Sequence, residues 1–240
     1  MDIRARDGAP APYWSFAGVR EGAAAVIPGL PGVIVFSASF GALAAQKGVP
    51  LLETVLMSAV VTAGVSQFLA IEMWAPSISI LLLATILATT MIVNLRLSIP
   101  AAALQPWIAG SPAWQVYPSL FLTTITNWIP TARYRATGGA DVGFLFGGGL
   151  ACWLTWVSAT AAGQIFGGLI ADPKRYAIDL ILPLYFVALL TPTYRSVGRS
   201  IPWAVAGAVA LLMQHLVPGY WYLIAAVVSG MITAGLMSDE

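Results

Sequence analysis

Along the chain, apolar runs long enough to be membrane helices alternate with short breaks that hold proline, glycine or charge. Eight runs stand out, at about 23–45, 53–74, 77–100, 115–134, 141–170, 176–194, 201–217 and 219–236. A helix needs about 20 mostly apolar residues to cross the hydrocarbon. The pattern therefore predicts an all-α polytopic integral membrane protein with seven or eight transmembrane helices, some broken or short. The fourth run is short and holds Asn127, Pro130, Arg133 and Arg135, and Pro218-Gly219 separates the last two. A tilted or re-entrant course stays open for those last two.

Composition agrees with this pattern and narrows it. Hydrophobic residues make up 59% of the chain and charged residues 9%, against roughly 25% charged in a soluble domain. Eight crossings nearly use up the length, so residues 1–22 read as a cytoplasmic N-terminal tail, 23–236 as one transmembrane domain and 237–240 as a C-terminal tail. Candidate halves are 23–110 and 141–236, linked by the span 115–134. They are suggested by a loose echo between Phe36–Ala45 and Trp156–Gln164, since secondary transporters are often duplicated. With the N-terminus inside, Arg4, Arg6, Arg20, Arg133, Arg135, Arg195 and Arg199 fall on the cytoplasmic side and Lys47, Lys174 and Arg175 outside. That balance favours N-inside in the inner membrane. A lone Cys152 rules out an intrachain disulfide and a cysteine-cluster metal site.

Candidate chemistry starts at the Pro-Gly pairs in Val26-Ile-Pro-Gly-Leu-Pro-Gly-Val. Proline removes a backbone donor and clashes with the carbonyl four residues earlier, and glycine relaxes the backbone. Pro28, Gly29, Pro31 and Gly32 thus predict an interrupted first span. Two consequences are open: a packed kink, or free amides at the start of a half-helix that bind a carboxylate. Ser58, Thr62 and Ser66 recur at helical spacing beside Gln67 and predict a polar stripe facing protein or water. Phe36 and Phe68 are apolar partners for a ligand side chain, and Asn94 is a further polar contact. Arg96 needs a partner or a route to the interface, and Glu72 and Asp179 are the acidic candidates for pairing or for carrying a proton. No nucleotide loop, hydrolase elbow or metalloprotease motif is present. The expectation is therefore a non-enzyme without cofactor or metal.

The blocks Gly18-Val-Arg-Glu-Gly22, Met57-Ser58…Ala63-Gly64-Val65-Ser66-Gln67-Phe68, Val93-Asn94-Leu95-Arg96 and Asp179…Pro183…Phe186-Val187-Ala188-Leu189-Leu190 resemble the AzlC family over about residues 18–195. The resemblance implies the large subunit of a branched-chain amino acid exporter, a permease working with a small hydrophobic AzlD-like subunit. It implies as function the export of branched-chain or similar apolar amino acids, coupled to protons. The chain departs from the family pattern at Val35-Phe36-Ser37, at Thr126-Asn127-Trp128 and at Leu97. Substrate and coupling ion are the points that these departures touch. A diverged, non-transporting subunit and a passive small-solute channel are the rival readings.

Overall fold

The computed structural model describes residues 13–74, 79–95, 98–167, 187, 196, 198–217 and 221–237. Among these residues every regular element is a helix, and two helices are long and apolar enough to cross a membrane. Two compact units are formed, one from 1–74 with 94–181 and the other from 75–93 with 182–240.

In the first unit, α1 (Phe16–Val26) runs through a 3-10 turn at Ile27–Gly29 into α2 (Leu30–Gln46). The interruption expected at the Pro-Gly pairs is healed. Pro28 leaves the Ala24 carbonyl without its usual donor and Pro31 does the same to Ile27. The Ile27 N–H takes the first carbonyl and the Leu30 N–H the second, so tightening to a three-residue step satisfies both. Pro28, Gly29, Pro31 and Gly32 are exposed on this continuous helix. They form no half-helix N-terminus, and the open-amide consequence drawn from them is corrected.

Parallel to this helix lies α9 (Gly143–Gly167). Their contact is made by backbone meeting backbone. A Cβ on Gly22 would stand 1.9 Å from the Phe144 carbonyl oxygen, one on Gly147 1.9 Å from that of Val19, and one on Gly163 2.1 Å from that of Ala38. The small-residue pairs thus serve packing inside the chain, where van der Waals contact replaces the hydrophobic drive that lipid removes. At the end where α1 and α9 both begin, called here the proximal end, buried Asp141 joins them. Its Oδ1 accepts from the Ser15 N–H at 3.0 Å and the Gly143 N–H at 2.8 Å, and its Oδ2 from the Ser15 hydroxyl. Leu104, Trp107, Ile108, Val142 and Leu145 form a core at the same end. The far end, near Gln46, is the distal end.

The segments expected as the second and fourth spans do not cross. After Pro50, α3 (Leu51–Val60) starts at the distal end, where the Val49 carbonyl accepts from Gln164 Nε2 at 2.6 Å. It runs inward for 10 residues, about 15 Å at 1.5 Å per residue, half of a hydrocarbon core of about 30 Å. The chain then turns at 61–63, with Val61 and Ala63 extended or nearly so, and α4 (Gly64–Glu72) returns. Phe68 lies against both Phe36 and Phe40, and Glu72 reaches Lys47 at 3.3 Å, beside the point where the hairpin began.

A second hairpin enters from the proximal end. Helix α6 (Ser98–Ile108) leads to α7 (Ala113–Phe121), whose Trp114 packs on Trp14 with ring centroids 5.8 Å apart. The chain turns at 122–124 against Gly149, and α8 (Ile125–Ala136) comes back until Tyr134 stacks on Phe144 at 4.2 Å. The expected spans 53–74 and 115–134 are therefore re-entrant hairpins entering from opposite ends. The two hairpins share an entry geometry. Gly48 (φ 72) precedes Pro50 (φ −62, ψ 150) and α3, and Gly110 (φ 92) precedes Pro112 (φ −60, ψ 147) and α7.

In the second unit, α5 (Ile80–Asn94) contributes residues up to Val93. Helix α10 (Ile201–Leu216) and helix α11 (Trp221–Met237) pack together where Gly230 approaches Ala206.

Candidate functional site

The two hairpin tips touch halfway along α9. Thr62, in the first turn, donates its hydroxyl to the carbonyl of Phe121, the last residue before the second, at 3.0 Å. Because α4 and α8 both start at these tips and run to opposite ends, two helix N-termini face the same central region. Each carries a partial positive charge and amides without an intrahelical partner. That is an anion-binding arrangement.

The two termini differ in one respect. At α8 the N-cap is Thr124, and the side chain of Asn127 reaches back to it, Oδ1 accepting from the Thr124 N–H at 2.6 Å and from its hydroxyl at 3.2 Å. The same amide donates through Nδ2 to the Leu145 carbonyl at 3.3 Å. At α4 the N-cap is Ala63, which has no side-chain acceptor. Ser66, which holds the position Asn127 holds in α8, turns instead to Asn94 Oδ1 at 3.1 Å. Among the described residues, no side chain therefore caps the first-turn amides of α4, at Gly64, Val65 and Ser66, which lie beside an aromatic wall. Phe36 stacks on Phe68 at 4.8 Å and meets Trp156 edge-on at 5.5 Å. A Cβ on Gly64 would lie 2.4 Å from the Trp156 ring, so only glycine lets this terminus and the indole come together.

Polar groups gather around the same place. Gln67, fully buried, donates through Nε2 to Ser58 Oγ at 3.4 Å, and Ser58 donates to Thr160 Oγ1 at 3.2 Å. Gln67 Oε1 and Trp156 Nε1 are buried with no hydrogen-bond partner among the described residues. Exchanging the amide's O and N moves the orphan without removing it. Buried polar atoms without partners are rare, and here an acceptor and a donor are orphaned beside a helix N-terminus that has no side-chain cap.

Of the residues expected at the site, Phe36, Ser58, Thr62, Gln67, Phe68 and Asn94 come together here. The polar stripe is real but its geometry is not that of one helix face, because the chain turns between Ser58 and Ser66. Pro28, Gly29, Pro31 and Gly32 lie outside the cluster's polar contacts. Gly29 abuts Thr126, 2.9 Å from where its Cβ would stand, and so makes room for the start of α8. Glu72 sits at the distal end, half exposed and paired with Lys47. Arg96 and Asp179 lie outside the described residues. Sequence reasoning missed Trp156, Thr160 and Trp153, which form one face of α9 at spacings of three and four, a signal hidden among nine tryptophans.

The AzlC protein family matches residues 28–170, more than half of the chain. A protein of Archaeoglobus fulgidus, described as an uncharacterized membrane protein, is 28% identical over 203 residues, covering 82% of this chain and 84% of that one. No solved structure matches. The family match spans both hairpins and all of α9, and the chain belongs to the AzlC family of transport-related membrane proteins.

Proposed function

We propose that the protein is a secondary transporter that carries a small apolar amino acid, branched-chain or similar, outward through the region between the hairpin tips. One observation carries this reading: the uncapped start of α4 facing orphaned Gln67 and Trp156 at the meeting point of two opposed hairpins. The ligand carboxylate takes the amides of Gly64 and Val65 and the Trp156 N–H. Its ammonium takes the Gln67 carbonyl, and its side chain takes the wall of Phe36 and Phe68. Opposed hairpins suit alternating access, since each closes the route to one end.

Arg20, Arg133 and Arg135 lie on segments at the proximal end and Lys47 at the distal end. The positive-inside bias therefore supports a cytoplasmic N-terminus in the inner membrane. Proton coupling falls to Asp179, because the surface pair with Lys47 leaves Glu72 in water and away from the tips. A small AzlD-like subunit completes the transporter.

Counterflow in proteoliposomes tests this, with labelled leucine and methionine and the chain reconstituted with and without the small subunit. Saturable exchange that falls at least tenfold in Gln67→Ala is the expected result. Non-saturating flux without exchange would make the protein a channel, and wild-type exchange in both Gln67→Ala and Asn94→Ala would remove the site.

A further inference from the structure

The seam between α3 and α9 differs from the contacts that hold α1, α2, α4 and α9 together. Along α1, α2 and α9 the contact is glycine against backbone, and α4 holds α2 through the rings of Phe36, Phe40 and Phe68. Along α3 it is polar. From tip to distal end, Trp153 Nε1 donates to the Ala59 carbonyl at 2.9 Å, Ser58 to Thr160 at 3.2 Å, and Gln164 Nε2 to the Val49 carbonyl at 2.6 Å. Three polar atoms buried along or beside it, Trp156 Nε1, Gln67 Oε1 and Gln164 Oε1, have no partner among the described residues.

A seam that buries unpaired polar atoms loses their hydration, and separating its faces returns it. Transmembrane side-chain hydrogen bonds are individually weak, so three of them hold the seam lightly. Both ends of α3 are able to bend. Gly48, at φ 72, precedes it with open space around its α-carbon, and the non-helical turn 61–63 follows it. Its outer face exposes Leu52, Leu56 and Val60 together with Glu53, and among the described residues it makes no side-chain hydrogen bond to another helix that would oppose movement.

We propose that α3 is a gate arm, hinged at Gly48 and at 61–63, that swings off α9 to open the tip site to the distal end while α4 stays fixed to α2. Opening hydrates the three orphaned atoms and exposes Gln67 and Trp156 to the distal aqueous phase, so the seam is the ligand's path on that side. This deepens the transport reading and rests on it.

The test is a reversible cross-link in the full chain. Ser58→Cys with Thr160→Cys, in a Cys152→Ala background, places two thiols where the hydroxyls stand 3.2 Å apart. Oxidation, verified by mass, is expected to cut leucine counterflow at least tenfold against the same protein reduced, with recovery on adding dithiothreitol. Exchange by the oxidised form within twofold of the reduced form overturns the gate. If the Cys152→Ala parent exchanges no amino acid tested, it is the transport reading that loses support; in that case, or if only the reduced double-cysteine variant is inactive, the gate is judged by a second measurement. Gln164→Cys, with Cys152→Ala, is treated with a membrane-impermeant maleimide from each side. Labelling from the distal side at least tenfold faster than from the proximal side supports the arm, and equal or no labelling overturns it.

Discussion

The difference between the two hairpin tips gives a sharp quantitative expectation. Asn127→Ala removes the side chain that caps α8. That side chain is 1% exposed, accepts twice from Thr124 and donates once to Leu145. Leaving the Thr124 N–H without a partner costs about 1–3 kcal/mol, and losing the bond to the Leu145 carbonyl about 0.6 kcal/mol more. The sum is a destabilisation of about 1.6–3.6 kcal/mol. Ser66→Ala, at the matching position of α4, loses only the bond to Asn94, about 0.6 kcal/mol by the membrane average. Reversible unfolding in mixed micelles at increasing SDS fraction measures both. A gap of at least about 1 kcal/mol between the variants agrees with one capped and one open terminus. Equal losses would refute that asymmetry, and with it the reason for placing a ligand carboxylate on α4.

Three further expectations follow from single contacts. Gly147→Ala drives a methyl into the Val19 carbonyl, 1.9 Å away; it costs about 1–3 kcal/mol in the same unfolding assay, and a neutral result would mean α1 and α9 are further apart than described. Trp153→Phe keeps an aromatic ring, smaller than the indole, but loses the bond to the Ala59 carbonyl. It lowers stability by about 0.5–1 kcal/mol and raises the distal-side maleimide labelling rate of Gln164→Cys; an unchanged rate counts against a seam held by that bond. Glu72→Gln breaks an exposed ion pair with Lys47 and shifts stability by less than about 0.5 kcal/mol; a loss above about 1 kcal/mol would mean the pair is a structural lock.

Much of the architecture could be read in the amino-acid order, and the misses have a common cause. Apolar length announced the helices. Ser58, Thr62 and Gln67 announced an interior polar centre. The hairpins stayed hidden because two half-helices and their turn, as in Leu51–Glu72, have the length and apolarity of one crossing. Their turns carry little punctuation. Val60-Val61-Thr62-Ala63 and Leu122-Thr123-Thr124 contain neither proline nor glycine, yet the chain reverses there. Pro28–Gly32 carries the strongest breaking signal in the first half and stays helical, because carbonyls stranded by proline can be claimed by donors one residue nearer. The duplicated entry was legible in retrospect, since Gly110-Ser-Pro112 stands 62 positions after Gly48-Val-Pro50. The echo between Phe36–Ala45 and Trp156–Gln164 instead joins two helices that pack on each other through Gly41, Thr160, Gly163 and Ala38.

The re-entrant course of both hairpins supports the site, the gate and the asymmetry together, and side-specific labelling measures it directly. Single cysteines replace Lys47, Glu72, Ala113 and Thr137 in turn, with Cys152→Ala, and impermeant maleimide is applied to sealed vesicles of known orientation. The account predicts that positions 47 and 72 react from one side and positions 113 and 137 from the other. Reaction of positions 47 and 72 from opposite sides, or of 113 and 137 from opposite sides, would make that segment an ordinary crossing and contradict the account.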